Sequence, residues 1–313
     1  MTLISHAWTI GPRLRHAVWP FACPESRDWE TFVDDPQIGP VRLTGRLHEI
    51  PGSDEILVLV HGLGGCIESH YMHRGAAAAE AAGISCLRLN LRGSDRHGND
   101  YYHAGLTADV HAALASEALR RYRRVHVLGY SMGGHVVLRL ATEPADPRVA
   151  AVAAVCSPVD LARSQVAIDA PSLWVYRQYL LNNLKRIYAA IATRRPVPLP
   201  VERLGELRTF LEWDDHIVAP RHGFADAADY YARASVVSRL GQLRIPALLV
   251  NSEYDPMVPA DSVRPALAEI DAPKLRVEWL RTGGHVAFPR RLNAGLGDGI
   301  GLDAQVIAWL RSS

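Results

Sequence analysis

The chain has 313 residues, 48% apolar and 21% charged, with Lys+Arg 34 against Asp+Glu 33 and a formal net charge of +1. A chain this long buries roughly three quarters of its unfolded surface, so it needs no stapling, and its ordinary apolar and charged fractions exclude wholesale disorder. The even balance gives no electrostatic case for a nucleic-acid partner; the basic residues are 32 Arg and only Lys185 and Lys274, a skew that reads as genome composition.

The four cysteines, Cys23, Cys66, Cys86 and Cys156, are far apart and form no CxxC pair. That spacing suits neither a zinc site nor a disulfide framework, so reduced thiols are expected. No run approaches the ~18 apolar residues of a membrane span. The first twenty residues mix Arg13, Arg15 and His16 among apolar ones, without the order of a signal peptide. A soluble, cytoplasmic protein is the expectation.

In chain order, residues 1–40 carry Pro12, Pro20, Pro24, Pro36 and Pro40 and read as an irregular lead-in. From Val41 to Glu49 polar and apolar residues alternate, as in a half-buried strand. Short, nearly continuous apolar runs follow at Ile56–Val60, Ile84–Leu89, Val125–Leu128, Val149–Val155, Ala247–Val250 and Leu275–Leu280. Such runs suit strands buried on both faces of a parallel sheet. Between them Tyr71–Ala82, Thr107–Tyr122 and Met132–Thr142 are helix-like, and Gly301–Arg311 closes the chain as a helix. Alternating strand and helix predict a doubly wound, mostly parallel α/β sheet of about eight strands.

One interval breaks the rhythm. About ninety residues separate Cys156 from Ala247 without a clear buried strand. Leu173–Ile191 is helix-like, Arg195–Pro200 is a Pro-rich break, and Leu204–Trp213 is another expected helix. The expectation is a core of residues 1–157 and 238–313, with 158–237 as a helical cap inserted between two late core strands.

Gly129-Tyr130-Ser131-Met132-Gly133 follows one apolar run and precedes a helix-like stretch. A strand that turns abruptly into a helix forces its central residue into a positive φ and leaves no room for bulk two positions away. Such a turn would present the Ser131 hydroxyl beside a helix N-terminus, where developing negative charge is favoured. Chance is the competing reading in a chain with 24 glycines, and the strand–turn–helix context argues against it. His61-Gly62-Leu63-Gly64-Gly65 follows Ile56–Val60. Its backbone can approach a ligand closely, so the Leu63 and Met132 N–H groups are the expected oxyanion donors. A phosphate loop fits poorly without the Lys-Ser/Thr ending; a plain tight turn is the bland alternative.

A serine nucleophile needs a base, and the base an orienting carboxylate. Among fourteen histidines, His285 is best placed, after the last apolar run in Thr282-Gly283-Gly284-His285. Asp255 follows Ala247–Val250, with Asp160 and Asp261 as rivals. The chain order Ser131, Asp255, His285 is one of the known triad orders. His61, His70, His73, His97, His103, His111 and His222 read as surface or core residues.

At these residues the sequence resembles the α/β-hydrolase superfamily, and within it the YheT-like branch of serine esterases. The resemblance is carried by Leu59-Val60-His61-Gly62-Leu63-Gly64-Gly65, Asn90-Leu91-Arg92-Gly93-Ser94, Tyr102–Asp109, Gly129–Gly134 and His222–Tyr231, and covers about residues 45–310. Two departures stand out. The N-terminal segment is shorter than is usual in the branch, and the loop after Arg92-Gly93 reads Ser94-Asp95-Arg96 where a small-residue turn is usual. The resemblance implies carboxylic-ester hydrolysis or acyl transfer with no cofactor and no metal. The expected partner is a small-molecule ester of short to medium acyl chain, lipid-derived esters included. Tyr130, Trp174 and Tyr179 are the expected pocket residues, with Tyr176, Leu180 and Leu181 in the same cluster; gluing the cap to the core is the competing role. Lys185, Arg186, Arg194 and Arg195 offer either a face for anionic lipid or an ordinary solvated helix face. Alternatives for the whole chain are a thioesterase, an acyltransferase, or a non-catalytic ligand sensor.

Overall fold

The computed structural model describes residues 3–144 and 146–313. In chain order its regular elements begin with α1 (Leu3–Val18), β1 (Arg27–Asp35), β2 (Gly39–His48), β3 (Glu55–Val60), α2 (His70–Ala81), β4 (Ser85–Asn90) and α3 (Ala108–Ala115). β5 (Arg124–Tyr130), α4 (Met132–Leu140) and β6 (Val149–Val155) follow. Then come α5 (Leu161–Asp169), α6 (Trp174–Ala192), α7 (Phe210–Trp213), α8 (Ala219–His222) and α9 (Ala227–Ala234). β7 (Ala247–Ser252), α10 (Ala260–Ala268), β8 (Leu275–Leu280) and α11 (Leu302–Ser312) complete the chain.

The strands form one eight-stranded sheet in the order β1-β2-β4-β3-β5-β6-β7-β8. β1 pairs antiparallel with β2, and β2 antiparallel with β4. The six strands from β4 to β8 are parallel. Apolar side chains leave β3, β5, β6 and β7 on both faces because both are covered. Leu57, Leu59, Leu128 and Leu248 pack with α2 and α11. Ile56, Val58, Val127 and Leu249 pack with α3, α4 and the helices after β6. β2 alternates buried and partly exposed positions, as its sequence pattern predicts. This is the expected α/β-hydrolase fold.

Residues 1–40 depart from the expectation of an irregular lead-in: Leu3–Val18 is helical and Arg27–Asp35 is the edge strand of the sheet. The prolines punctuate these elements more than they prevent them. Pro20 and Pro24 fall between α1 and β1, and Pro36 in the turn before β2; Pro12 alone lies inside α1. The expected helix Leu204–Trp213 is also corrected. A 3₁₀ turn spans Val201–Glu206, and α7 starts afresh at Thr209, whose side chain and Glu212 form a reciprocal capping box. The helix expected over Thr107–Tyr122 stops at Ala115 because Ser116 turns to an extended conformation. Among the described residues no helix is long and apolar enough to cross a membrane.

The residues between β6 and β7 are helical, and a buried ionic cluster ties them to the sheet. Arg92, two residues past β4, donates to Asp109 of α3, to Asp100 and to Asp35. Arg221 of α8 donates to the same Asp100 carboxylate at 2.6 and 2.7 Å, and Arg195 adds a bond of 3.4 Å. Three guanidiniums thus face three carboxylates. Lys185 and Arg194 are also engaged, on the Leu207 carbonyl and on those of Arg96 and Ala190. Arg195 is held by Asp100, while Arg186 is exposed.

Candidate active site

β5 ends at Tyr130 and α4 begins at Met132, which leaves a single residue for the reversal. Ser131 makes it with φ 54° and ψ −124°. The turn closes only because Gly129 and Gly133 lack side chains: a Cβ on Gly129 would run into the Gly133 carbonyl, and one on Gly133 into the carbonyls of Val60 and His61. The Ser131 hydroxyl stands at the carboxyl ends of the parallel strands, the edge of an α/β sheet where ligands bind.

His285 lies in the loop after β8. Its Nε2 is 2.9 Å from Ser131 Oγ and its Nδ1 is 2.9 Å from Asp255 Oδ2. Asp255, in the loop after β7, is 1% exposed. Its Oδ1 accepts from the Met257 and Val258 N–H groups at 2.8 and 3.0 Å, which fixes the carboxylate before the imidazole reaches it. Of its rivals, Asp160 caps α5 and Asp261 lies in the first turn of α10. Cys156, buried at the end of β6, accepts from the Val286 N–H and places its sulfur behind the Asp255–His285 pair. Burial pushes its thiol pKa well up.

The glycine turn after β3 is held by two tyrosines that sequence reasoning missed. The Gly62 N–H donates to Tyr71 Oη at 3.0 Å, and the Gly64 N–H donates to Tyr102 Oη at 2.8 Å. The Leu63 N–H between them has no hydrogen-bond partner among the described residues. Met132, as the first residue of α4, has an N–H with no carbonyl four residues back to receive it. His61 is not a base for this site. Burial lowers its pKa to about 4, and its ring lies within hydrogen-bond distance of the Gly62 carbonyl, Ser94 Oγ and the Leu91 N–H.

Two chambers meet at Ser131 and His285. The inner one, about 130 Å³, is walled by Leu161, Ile168, Leu184, Ile187, Phe210 and Trp213. Asp214 is the acid in this lining; its Oδ2 accepts from Tyr231 Oη at 2.8 Å. The outer chamber, about 410 Å³, is walled by α1 through Thr9, Ile10 and Arg13, by the Gly62–Gly65 turn, and by Tyr179. Of the expected pocket residues, Tyr179 is therefore in the outer chamber and Leu180 borders both. Tyr130 and Trp174 are corrections. Side chains alternate along β5, so Tyr130 points to the opposite face, among α2 and α11, with its hydroxyl on Asp303. Trp174 opens α6 and is 59% exposed; from α6 it is Leu180, Leu184, Ile187 and Tyr188 that line the inner chamber.

α1 contributes more than a wall. Thr9 Oγ1 accepts the His285 N–H at 2.9 Å and donates to the Ser5 carbonyl at 2.8 Å. A Cβ on Gly284 would collide with the Ser5 carbonyl, so α1 and the His285 loop are in close backbone contact. No short-range pattern in the sequence could signal a contact across 276 positions.

A family described as the alpha/beta hydrolase fold matches residues 55–291. The chain is 32% identical over 244 residues to YheT of Escherichia coli (strain K12), named as a candidate esterase, covering 74% of this chain and 70% of that protein. It is 26% identical over 301 residues to a medium-chain fatty acid ethyl ester synthase/esterase of Saccharomyces cerevisiae, covering 86% of this chain and 63% of that protein. Among solved structures, the esterase Pf2001 of Pyrococcus furiosus superposes with a TM-score of 0.53 at 17% identity, covering 84% of this chain and 85% of that one. At that identity the likeness concerns the fold.

Proposed function

The chain belongs to the alpha/beta hydrolase family, and we propose that it is a serine hydrolase of carboxylic esters working through an acyl-enzyme on Ser131. The observation that carries this reading is the unbroken relay from Ser131 Oγ through His285 to Asp255, with both links at 2.9 Å. The names of its relatives as esterases point the same way.

In the proposed reaction His285 Nε2 takes the Ser131 proton as Oγ bonds to the ester carbonyl carbon. Asp255 holds the Nδ1–H tautomer and stabilises the imidazolium. The negative charge that develops on the carbonyl oxygen falls to the Leu63 and Met132 N–H groups, and losing one such donor typically costs ~3 kcal/mol of barrier. The carbon–oxygen bond to the alcohol then breaks, and the alcohol leaves with the proton from His285. Water gives its proton to the same nitrogen and attacks the acyl carbon; the bond to Ser131 Oγ then breaks, Oγ takes the proton back from His285, and the acid leaves. The apolar inner chamber takes a short- to medium-chain acyl group. Acyl transfer to an alcohol is the second reading, since the outer chamber of about 410 Å³ has room for an acceptor other than water.

The test is a fluorophosphonate probe together with para-nitrophenyl esters of increasing chain length. Wild-type protein should be labelled and active, and Ser131→Ala should lose the label and about 10⁴- to 10⁶-fold in turnover. Near-wild-type hydrolysis by well-folded Ser131→Ala would rule the scheme out.

A further inference from the structure

The outer chamber is chemically unlike the inner one. Two arginines line it, Arg13 from α1 and Arg96 from the loop after β4. Arg96 belongs to the Ser94-Asp95-Arg96 stretch of that loop. Its backbone is in the left-handed region, φ 63°, with its N–H held by the Gly93 carbonyl at 2.9 Å. The Arg13 guanidinium carbon sits over the Tyr179 ring, 3.6 Å from its centroid, a cation–π contact that uses none of its N–H donors. Among the described residues neither guanidinium is paired with a carboxylate. The acidic side chain in the lining, Glu68, lies 2.7 Å from His73 Nε2 and 3.7 Å from Arg88. His70 adds a third group. It is 6% exposed, and its Nε2 has no hydrogen-bond partner. Burial, with Arg74 nearby, lowers its pKa to about 3, so the ring is neutral. That ring nitrogen lines the same chamber as the two exposed arginines, and a buried polar atom left without a partner is costly unless a ligand completes it.

We infer that the outer chamber receives the alcohol part of the ester and selects alcohols that carry an anionic group, a carboxylate or a phosphate, through Arg13 and Arg96. The inference rests on Ser131 as the nucleophile. It orients the substrate: acyl chain inward among the leucines and isoleucines, scissile carbonyl at Ser131, charged leaving group outward. A planar guanidinium pairs with carboxylate or phosphate through two parallel N–H bonds, which gives direction as well as attraction.

The experiment compares matched esters with one octanoyl chain on the full protein. One pair is para-nitrophenyl octanoate and its ring-carboxylated analogue; the other is octanoylglycerol and octanoylglycerol phosphate. The ratio of kcat/KM, anionic over neutral, should exceed about tenfold at low ionic strength and shrink in about 0.5 M salt as screening shortens. Arg13→Gln and Arg96→Gln should each lower that ratio by about 3- to 10-fold, and Arg96→Glu should push it below one. A preference confined to one pair identifies carboxylate or phosphate as the group read. Should Arg13→Gln unseat α1, seen as a lowered Tm, the Arg96 variants carry the test from a different loop. A wild-type ratio near one in both pairs, or a ratio that the Arg96 variants leave unchanged, overturns the inference and leaves the esterase reading standing. No turnover of any ester, with no fluorophosphonate labelling of folded protein, overturns both.

Discussion

At the scale of single residues, ionisable groups in this fold divide by what surrounds them. Asp255 is fixed by two backbone N–H groups and an imidazole. Asp214, in a short π-helical turn beside the inner chamber, has one tyrosine hydroxyl for company, and burial pushes its pKa from 3.8 up to about 7. The sign of the consequence follows. A carboxyl that ionises less readily in the fold than in the unfolded chain weakens the fold as pH rises from about 4 towards 7, because the unfolded state gives up its proton first. Asp214→Asn keeps an acceptor for Tyr231 and removes the charge. It should therefore be the more stable protein at pH 8, by about 2 kcal/mol after allowing for screening through the cavity, and should match wild type below pH 4. Denaturant unfolding at the two pH values measures this, and an Asn variant no more stable at pH 8 would show that Asp214 ionises normally.

At the scale of elements, α1 is the part whose role is least expected. It lies 276 positions from His285 in the chain, yet it holds that residue's backbone N–H. Thr9→Val keeps the shape of the side chain and removes the acceptor. A buried N–H left without a partner costs about 1–3 kcal/mol, and here the cost falls on the loop that aims the imidazole. The expected result is a kcat lowered about tenfold with KM little changed, restored by Thr9→Ser, whose hydroxyl can make both bonds. A purely structural role would lower Tm without moving kcat, and steady-state kinetics beside a melting curve separates the two. The α4 turn behaves differently. At Gly129 its geometry is set within the turn, by the Gly133 carbonyl, whereas Gly133 must clear the Val60 and His61 carbonyls at the end of β3.

At the scale of the whole molecule, the helices between β6 and β7 are fastened to the sheet by the cluster of Arg92, Arg195 and Arg221 with Asp35, Asp100 and Asp109. Breaking a buried ionic set by removing one partner costs about 3–5 kcal/mol, because charges are left buried without compensation. Asp100 is the hub, since all three guanidiniums reach it. Asp100→Asn should lower the melting temperature by roughly 10 °C, with loss of the inner chamber's walls and therefore of long-acyl turnover before the sheet itself unfolds. A variant melting within about a degree of wild type would mean that apolar packing alone holds these helices.

Much of this arrangement was legible in one dimension. Apolar runs with no alternation identify strands covered on both faces, and two glycines flanking Ser131 identify a turn that no larger residue permits. Those are local consequences of burial and sterics, so the fold and the neighbourhoods of Ser131, Asp255 and His285 could be read from the chain itself. The path of residues 1–40 could not. Prolines argue against helix by local propensity, and α1 takes its place through contacts with loops hundreds of positions away. Nor could the pocket. Tyr130 and Trp174 are the right residue types at the right place in sequence, but strand alternation turns one to the far face and helical phase turns the other to solvent. Which side chains face a shared cavity depends on how elements from distant parts of the chain are docked, and only the tertiary structure fixes that.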